Sequence, residues 1–146
     1  MSRILVERML GRLARWLRLL GYDAALLERP PARVGPDEVL LTRRTSLAKK
    51  PGVVFVDHDR LGDQLGQVVK ELGLEVDASR FFSRCLDCNL LVEPVERSQV
   101  QGLVPDYIFH TAERFTRCPQ CGKIFWPGSH GRRAIQRITS MLGLKN

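Results

Sequence analysis

The sequence predicts an α/β fold, with a parallel sheet flanked by helices and a small separate C-terminal domain. Short, continuously apolar segments alternate with amphipathic helices up to about residue 80, which is typical of parallel sheets covered on both faces. From residue 81 the alternation stops, and all four cysteines follow. We therefore expect an α/β domain over residues 1–80 and a second domain over residues 81–146.

Five strands are predicted in the first domain, because each segment is apolar and is bounded by Gly, Pro or charged residues. They cover residues 4–6, 22–27, 39–42, 53–56 and 74–76. Sites in open parallel sheets lie beyond the carboxyl ends of the strands. The charged side chains predicted at those ends are Glu7, Arg43, Arg44, Asp57 and Asp59.

A basic amphipathic helix is predicted over residues 8–20, with Gly21 ending it. Apolar residues that include Met9 fall on one side at helical spacing, and arginines fall on the other. These arginines are Arg8, Arg12, Arg15 and Arg18. They can form an ordinary solvent-facing surface or bind phosphates, and both interpretations stay open at this point.

A second amphipathic helix follows the fourth strand, over about residues 57–73. Its apolar residues keep helical spacing. Asp57 or Asp59 is expected to cap the beginning of this helix, and Gly73 is expected to end it.

The net charge of the chain is +7, from 23 Lys and Arg against 16 Asp and Glu. This excess favours a polyanionic partner such as a nucleic acid. No apolar run is long enough to span a membrane. Arginines also interrupt the N-terminal segment where a signal peptide would be continuously apolar. We expect a cytoplasmic location and no membrane partner, while the sequence gives no indication of oligomeric state.

The cysteines form two C-x-x-C pairs, Cys85 with Cys88 and Cys118 with Cys121. Two such pairs supply the tetrahedral thiolate set of a structural zinc ion, and no position is left for a catalytic water. Disulfides would conflict with a cytoplasmic location, and a redox-active site needs only one such pair. We therefore predict a zinc ribbon whose folding depends largely on the metal.

The remainder of the second domain is predicted to hold short strands and one basic helix. The strand-like segments are 90–94, 100–104 and 107–110. The helix follows a turn at Pro127-Gly128, with Ser129 as its expected N-cap. Its basic surface carries Arg132, Arg133 and Arg137. Trp126 and His130 can stack on bases or pack under the ribbon.

The chain resembles the Mut-seven C-terminal RNase family in four segments. They are LVERMLGRLARWLRLLGYD, LLTRRTSLA, SRCLDCNLLVEPV and RCPQCGKIFWPGSHGRRA. The resemblance covers nearly the whole chain and implies a PIN-like nuclease domain followed by a zinc ribbon, with RNA as the partner. PIN-type nucleases hold Mg²⁺ or Mn²⁺ with three or four carboxylates, and the metal activates water and stabilises the developing charge.

The chain departs from the family pattern where the family binds its catalytic metal. The first strand of the family ends in Asp-Gly, and here the residues are Glu7 and Arg8. The third strand typically ends in Leu-Thr-Arg-Asp, and here Arg44 replaces the aspartate. A divalent cation about 5 Å from an arginine is repelled by several kcal/mol at an effective dielectric near 20. We therefore expect a degenerate metal site.

Three functions follow from these observations. The first is RNA binding with weak or no cleavage, in which Arg44 takes the place of the metal charge. The other arginines expected to contact RNA are Arg8, Arg12, Arg15, Arg18, Arg43, Arg132 and Arg133. The second is an active Mg²⁺- or Mn²⁺-dependent ribonuclease with a relocated catalytic site of Glu7, Asp57 and Asp59. The third is a protein-interaction module that acts through the ribbon.

Overall fold

Four strands form a parallel sheet in the order β2-β1-β3-β4 in the computed structural model, which describes residues 3–144. The strands are β1 (Arg3–Glu7), β2 (Ala24–Leu27), β3 (Glu38–Thr42) and β4 (Val53–Phe55). Val6 of the central β1 is in register with Leu26 on one side and Leu41 on the other. The carboxyl ends of all four strands therefore share one edge, as the sequence predicts.

The fifth strand predicted at residues 74–76 is wrong. This segment follows a helix without joining the sheet. Leu74 and Val76 pack against the core, and the carbonyl of Glu75 accepts a hydrogen bond of 2.5 Å from the Tyr22 hydroxyl. Burial of the two apolar side chains and the hydrogen bond to the Glu75 carbonyl hold this segment in place without a partner strand.

Five α-helices complete the described part of the chain. They are α1 (Gly11–Leu19), α2 (Leu61–Leu72), α3 (Arg97–Val100), α4 (Asp106–Thr111) and α5 (Ser129–Met141). A 3-10 turn over Arg8–Leu10 joins β1 directly to α1. None of the helices within residues 3–144 has the length and apolar character needed to cross a lipid bilayer.

Two of the predicted helix caps are wrong. Arg60 is the N-cap of α2, and no side chain caps that helix, because Asp59 binds Arg43 instead. Gly128, rather than Ser129, is the N-cap of α5. The predicted end of α2 is confirmed, since Gly73 caps it in the left-handed conformation with φ of 61°.

One face of the sheet carries the main hydrophobic core. Ile4 and Val6, which alternate with Leu5 along β1, pack with buried residues of α1 and α2. Leu5 and Leu40 are also buried but lie outside this cluster. Leu40 lines a cavity of about 150 Å³ beneath the segment at residues 31–34. Helices therefore cover one face, and this segment covers part of the other.

The segment that the sequence predicts as a second domain contains an antiparallel sheet in the order β5-β6-β7. Its strands are β5 (Glu93–Val95), β6 (Phe115–Arg117) and β7 (Ile124–Phe125). The strands predicted at 100–104 and 107–110 are wrong, because α3, a turn and α4 occupy this region. Apolar residues recur there at every fourth position, which is a helical spacing. They are Val100, Val104, Ile108 and Ala112.

The last helix returns to the first domain. Ile138 of α5 is fully buried in the main core, with Ala134 and Leu142 partly buried beside it. At the other side of the contact, a β-carbon added to Gly62 of α2 would lie 3.3 Å from the side chain of Met141. The sheet domain thus completes its core with a helix that follows the ribbon in the sequence.

Candidate nucleic-acid interface and metal centre

Glu7 is bound on both carboxylate oxygens at the carboxyl edge of the sheet. It ends β1 and is 3% exposed. The Thr42 hydroxyl donates to Oε1 of Glu7, and Arg44 Nε donates to Oε2 at 2.8 Å. The Arg44 backbone N–H in turn donates to the Thr42 hydroxyl at 2.9 Å. The ring of hydrogen bonds fixes the carboxylate and directs the arginine side chain over it.

This ring lies at one side of an open cleft of about 400 Å³. The cleft is lined by Glu7, Arg8, Met9, Glu28 and Arg44. Arg44 keeps 51% of its side chain exposed, and Arg8 lies 3.5 Å from the carboxylate of Glu28. The cleft therefore presents two cations and two carboxylates, of which Glu7 is buried and Glu28 is exposed.

Two residues of this site were missed by the sequence analysis, and one expectation was wrong. Glu28 directly follows β2, so the rule that predicts the other strand-end residues also predicts it. Thr42 ends β3 but is uncharged, so it is not among the charged residues predicted at the strand ends. Met9, expected on the buried side of the first helix, is 59% exposed, because it belongs to the 3-10 turn that precedes α1.

Of the acidic residues after β4, Asp59 is bound by a different arginine. Arg43 donates to Asp59 at 2.7 Å and to the carbonyl of His58. Asp59 is 92% exposed, and Asp57 is exposed as well. Strand β3 separates β4 from β1, which places the two strands about 10 Å apart.

The carboxylates at this edge do not converge as metal ligands do. Within residues 3–144, the ligand atoms of the four cysteines lie close together, and Glu7, Asp57 and Asp59 form no such group. Glu7 and Asp59 each bind an arginine from the segment after β3 instead.

The arginines of α1 have three different environments. Arg12 is exposed, and Arg15 donates to Asp87 of the ribbon at 2.5 Å. Arg18 is only 8% exposed, so the expectation that it shares an exposed basic surface is wrong. The C-terminal end of α1 is covered because the Phe82 backbone N–H donates to the Leu19 carbonyl at 3.0 Å.

Arg18 joins the parallel sheet to the first cysteine turn through backbone carbonyls. Its guanidinium donates to Ala24 of β2 at 2.8 Å and to Leu86 of the first C-x-x-C turn at 2.7 Å. Burial lowers the pKa of Arg18, and the charge of Arg15 lowers it further. Asn89 makes a second connection, because its amide donates to Asp23 at 2.7 Å.

The four cysteines form a compact sulfur cluster. The sulfur atoms of Cys85, Cys88, Cys118 and Cys121 all lie within 4.8 Å of one another. A tetrahedral zinc site with zinc–sulfur bonds of about 2.3 Å has sulfur–sulfur edges of about 3.8 Å. The separation of 3.8 Å between the sulfurs of Cys85 and Cys121 matches that edge. The cluster therefore fits a metal ion such as zinc.

Equivalent turns present the two cysteine pairs. The residue after each pair has positive φ, 62° at Asn89 and 76° at Gly122. In each turn its N–H donates to the first cysteine carbonyl, at 2.8 Å to Cys85 and 3.0 Å to Cys118. Asparagine and glycine are the residues that tolerate this conformation best.

The thiols of the cluster differ in acidity before a metal binds. Burial raises the pKa of Cys85. Burial and a hydrogen bond with the Cys121 sulfur raise the pKa of the Cys88 thiol to about 12. Burial would also raise the pKa of Cys118, but the N–H groups of Cys121 and Gln120 outweigh it and lower the value to about 7. A bound cation deprotonates coordinating thiols.

Trp126, which the sequence allows either to stack on bases or to pack under the ribbon, packs against the smaller core. Trp126 lies edge to face with Phe115, with ring centroids 6.5 Å apart, and it packs, partly buried, against the smaller core to which Phe115 belongs. His130, Arg132 and Arg133 are exposed on the first half of α5.

A model of the Mut7-C RNAse domain family matches residues 2–138 of the chain. The match spans the cleft at the sheet edge and all four cysteines. No curated protein and no solved structure shows a significant match.

Proposed function

Since the chain belongs to the Mut7-C RNAse domain family, we propose that it is an RNA-binding protein that cleaves RNA weakly or not at all. A phosphate of the RNA binds in the cleft at the carboxyl edge of the sheet. The observation that carries this proposal is the ion pair of 2.8 Å between Arg44 and Glu7. In this pair a side-chain cation occupies the place beside Glu7 that a metal ion would need.

Arg44 has the donors to bind a phosphate while it stays paired. A guanidinium offers five N–H groups, and the contact with Glu7 uses Nε. The side chain is half exposed toward the cleft. Arginine binds phosphate oxygens with two parallel hydrogen bonds, and Arg8 supplies a second cation at the same cleft.

A divalent metal is disfavoured by the same arrangement. Both oxygens of Glu7 already accept hydrogen bonds. A divalent cation about 5 Å from Arg44 would be repelled by roughly 7 kcal/mol at an effective dielectric near 20. Arg44 would have to leave Glu7 before the carboxylate could bind Mg²⁺ or Mn²⁺.

Further basic groups extend the proposed RNA surface. Arg12 on α1 and Arg132 and Arg133 on α5 are exposed, so they are available for phosphate contacts. Arg15 and Arg43 are engaged by Asp87 and Asp59 and contribute less. We also propose zinc as the ion of the cysteine cluster and the cytoplasm as the location.

The alternative is an active metal-dependent ribonuclease. It is supported by the buried Glu7, by Glu28 in the same cleft and by Asp57 and Asp59 at the same sheet edge. In that case Glu7, Asp57 and Asp59 would hold Mg²⁺ or Mn²⁺, and the metal would activate water for attack on the phosphodiester. A second alternative is a protein-interaction role for the ribbon, which exposes Leu103 and Tyr107.

RNA binding is tested by the fluorescence anisotropy of a labelled single-stranded RNA in EDTA. Arg44→Ala is expected to weaken binding about 5- to 10-fold and to reduce the slope of log K against log salt by about 0.7. Arg33→Ala is the matched control, because Arg33 is exposed and lies away from the cleft. Wild-type binding that does not respond to salt would contradict the proposal and favour the protein-interaction alternative.

Cleavage is tested separately with the same RNA in Mn²⁺. The wild-type protein is compared with a Glu7→Gln/Asp57→Asn double variant. Little or no metal-dependent cleavage by either protein is the expected result. Rapid cleavage by the wild type that the double variant abolishes would establish the ribonuclease alternative.

A further inference from the structure

The basic helices α1 and α5 meet at an arginine–tryptophan contact. The guanidinium of Arg137 lies 5.7 Å from the centre of the Trp16 ring. Trp16 is half-buried and Arg137 is exposed, so the pair lies at the surface. Neither residue belongs to the cleft at the sheet edge.

The two helices run in opposite directions at this contact. The end of α1 is close to the beginning of α5, because the Phe82 N–H donates to Leu19 and a β-carbon on Gly131 would lie 3.4 Å from the Phe82 ring. Farther along, the contact joins Trp16 of α1 to Arg137 of α5.

This geometry places two further arginines beside the pair. Residues four apart share one flank of a helix, so Arg12 lies on the flank of Trp16 and Arg133 on that of Arg137. We call the set of Arg12, Trp16, Arg133 and Arg137 the interhelix strip. Arg132 lies on a different flank of α5, because adjacent residues are about 100° apart.

The strip has an uncompensated positive charge. Neither α1 nor α5 contains Asp or Glu. Among residues 3–144, no acidic group lies within ion-pair distance of the three arginines of the strip, whereas Arg8, Arg15, Arg43 and Arg44 each have an acidic partner. The cations of the strip are thus available to an external anion.

The strip also begins next to the cleft. Arg8 lines the cleft and the 3-10 turn at Arg8–Leu10 passes directly into α1. Arg12 follows within the first turn of α1. A strand whose phosphate binds at Arg44 and Arg8 can therefore continue along α1 toward Trp16.

We propose that the interhelix strip binds single-stranded RNA, with its three arginines on phosphates and with a base stacked against the Trp16–Arg137 pair. Proteins bind single strands by combining basic grooves with aromatic or guanidinium surfaces on which bases stack. The inference rests on the proposed function and deepens it: the RNA is single-stranded and occupies a surface outside the cleft.

The first test measures the affinity of a fluorescein-labelled oligouridylate of about 20 nucleotides by anisotropy. Arg12→Ala/Arg133→Ala is expected to weaken binding about 10-fold and to lower the salt slope by about 1.4, for two lost single-strand contacts. Arg33→Ala/Lys49→Ala is the matched control, because it removes two exposed charges that belong neither to the strip nor to the cleft, and it is expected to change affinity less than 2-fold. Equal loss from the two double variants, or no loss in Arg12→Ala/Arg133→Ala, would overturn the strip.

The second test observes Trp16 directly. The chain has two tryptophans, so Trp126→Phe leaves Trp16 as the single indole and preserves an aromatic partner for Phe115. Oligouridylate is expected to quench its fluorescence, and inorganic polyphosphate at the same charge concentration is expected to quench it much less. Equal quenching by the two polyanions would contradict the proposal that a base stacks against the Trp16–Arg137 pair.

Failure of the strip can be distinguished from failure of the proposed function. If wild-type protein does not bind oligouridylate, both are wrong. If Arg44→Ala weakens binding while Arg12→Ala/Arg133→Ala does not, the cleft binds RNA and the strip is wrong. Circular dichroism of each variant confirms that the exposed substitutions leave the fold intact.

Discussion

Arg44 donates from Nε to Glu7 across 2.8 Å and so joins the end of β1 to the segment after β3. The pair places one positive and one negative charge at the cleft. A phosphate there is attracted by the arginine and repelled by the carboxylate. The balance between these charges leads to a prediction that separates RNA binding from catalysis.

Replacing Glu7 by glutamine is expected to strengthen RNA binding about 2- to 5-fold. The amide removes one negative charge close to the bound phosphate, which is worth less than 1 kcal/mol at high dielectric. It still accepts a hydrogen bond from Thr42 or Arg44. Anisotropy in EDTA measures the effect, and Glu113→Gln on the exposed ribbon surface is the control. Weaker binding by Glu7→Gln would contradict the proposed role of Arg44.

Replacing Thr42 by valine is expected to destabilise the protein by about 1–2 kcal/mol. Thr42 is fully buried, and valine has the same shape but cannot donate to Glu7 or accept from the Arg44 N–H. The cost arises from buried polar groups that lose a partner. Urea denaturation measures it, with Thr45→Val as an exposed control expected to stay within about 0.5 kcal/mol. An equal stability of the two variants would show that the ring of hydrogen bonds contributes little.

Arg18→Ala is expected to destabilise the protein by about 3 kcal/mol, because it leaves the buried carbonyl of Ala24 and the partly buried carbonyl of Leu86 without their arginine donor. Arg18→Lys is expected to restore only part of this loss, since an ammonium cannot reproduce the two directions of the guanidinium fork. Arg12→Ala is the matched control on the same helix, because Arg12 is exposed. Urea denaturation of the three variants measures the differences, and equal stability of Arg18→Ala and Arg12→Ala would refute the structural role.

The sequence predicts the sheet and the sulfur cluster well, because both depend on local patterns. Continuous apolar runs identify the parallel strands, and the spacing within each C-x-x-C places its two sulfurs together. Arg18 shows where this kind of inference ends. Helical periodicity assigns it to the polar side of α1, but the turn around Leu86, 68 positions away, covers it. Such burial depends on tertiary packing, which a helical pattern does not contain.

The sequence also predicts the residues of the cleft but not the contacts between them. The strand-end rule identifies Glu7 and Arg44, but not that the two side chains pair with each other. It also places Asp57 and Asp59 at the same edge, where Arg43 binds Asp59. The choice of partner among neighbouring charges depends on side-chain directions that spacing along the chain does not determine.

Removing the metal is expected to loosen the second domain and its contact with α1. Protein purified without chelator should contain one zinc per chain, held by the four cysteines. After chelation, hydrogen exchange should increase most in the two cysteine turns and at the Arg18 and Asn89 contacts, because metal binding supplies folding energy to such small domains. Cys118→Ser should give the same pattern without chelator. Folded protein that lacks zinc and keeps its protection would contradict the ribbon.

The stability of the protein should depend on pH through Asp77, which lies in the turn before the first cysteine pair. Its carboxylate accepts a hydrogen bond of 3.0 Å from the Ser79 N–H, and this bond lowers the pKa of Asp77 below its ordinary value. A carboxyl whose pKa is lower in the folded state stabilises the fold above its unfolded pKa of about 3.9, and the contribution is lost as pH falls through the folded pKa.

Asp77→Ala should therefore lower the urea midpoint at pH 7 and at pH 5, and its difference from wild type should shrink at pH 3. Asp77→Asn is the control, because its amide oxygen can still accept from Ser79 but does not titrate. The midpoint of Asp77→Asn relative to Asp77→Ala should stay nearly constant with pH. A wild-type advantage over Asp77→Ala that is unchanged at pH 3 would show that the charge of Asp77 does not contribute through this bond.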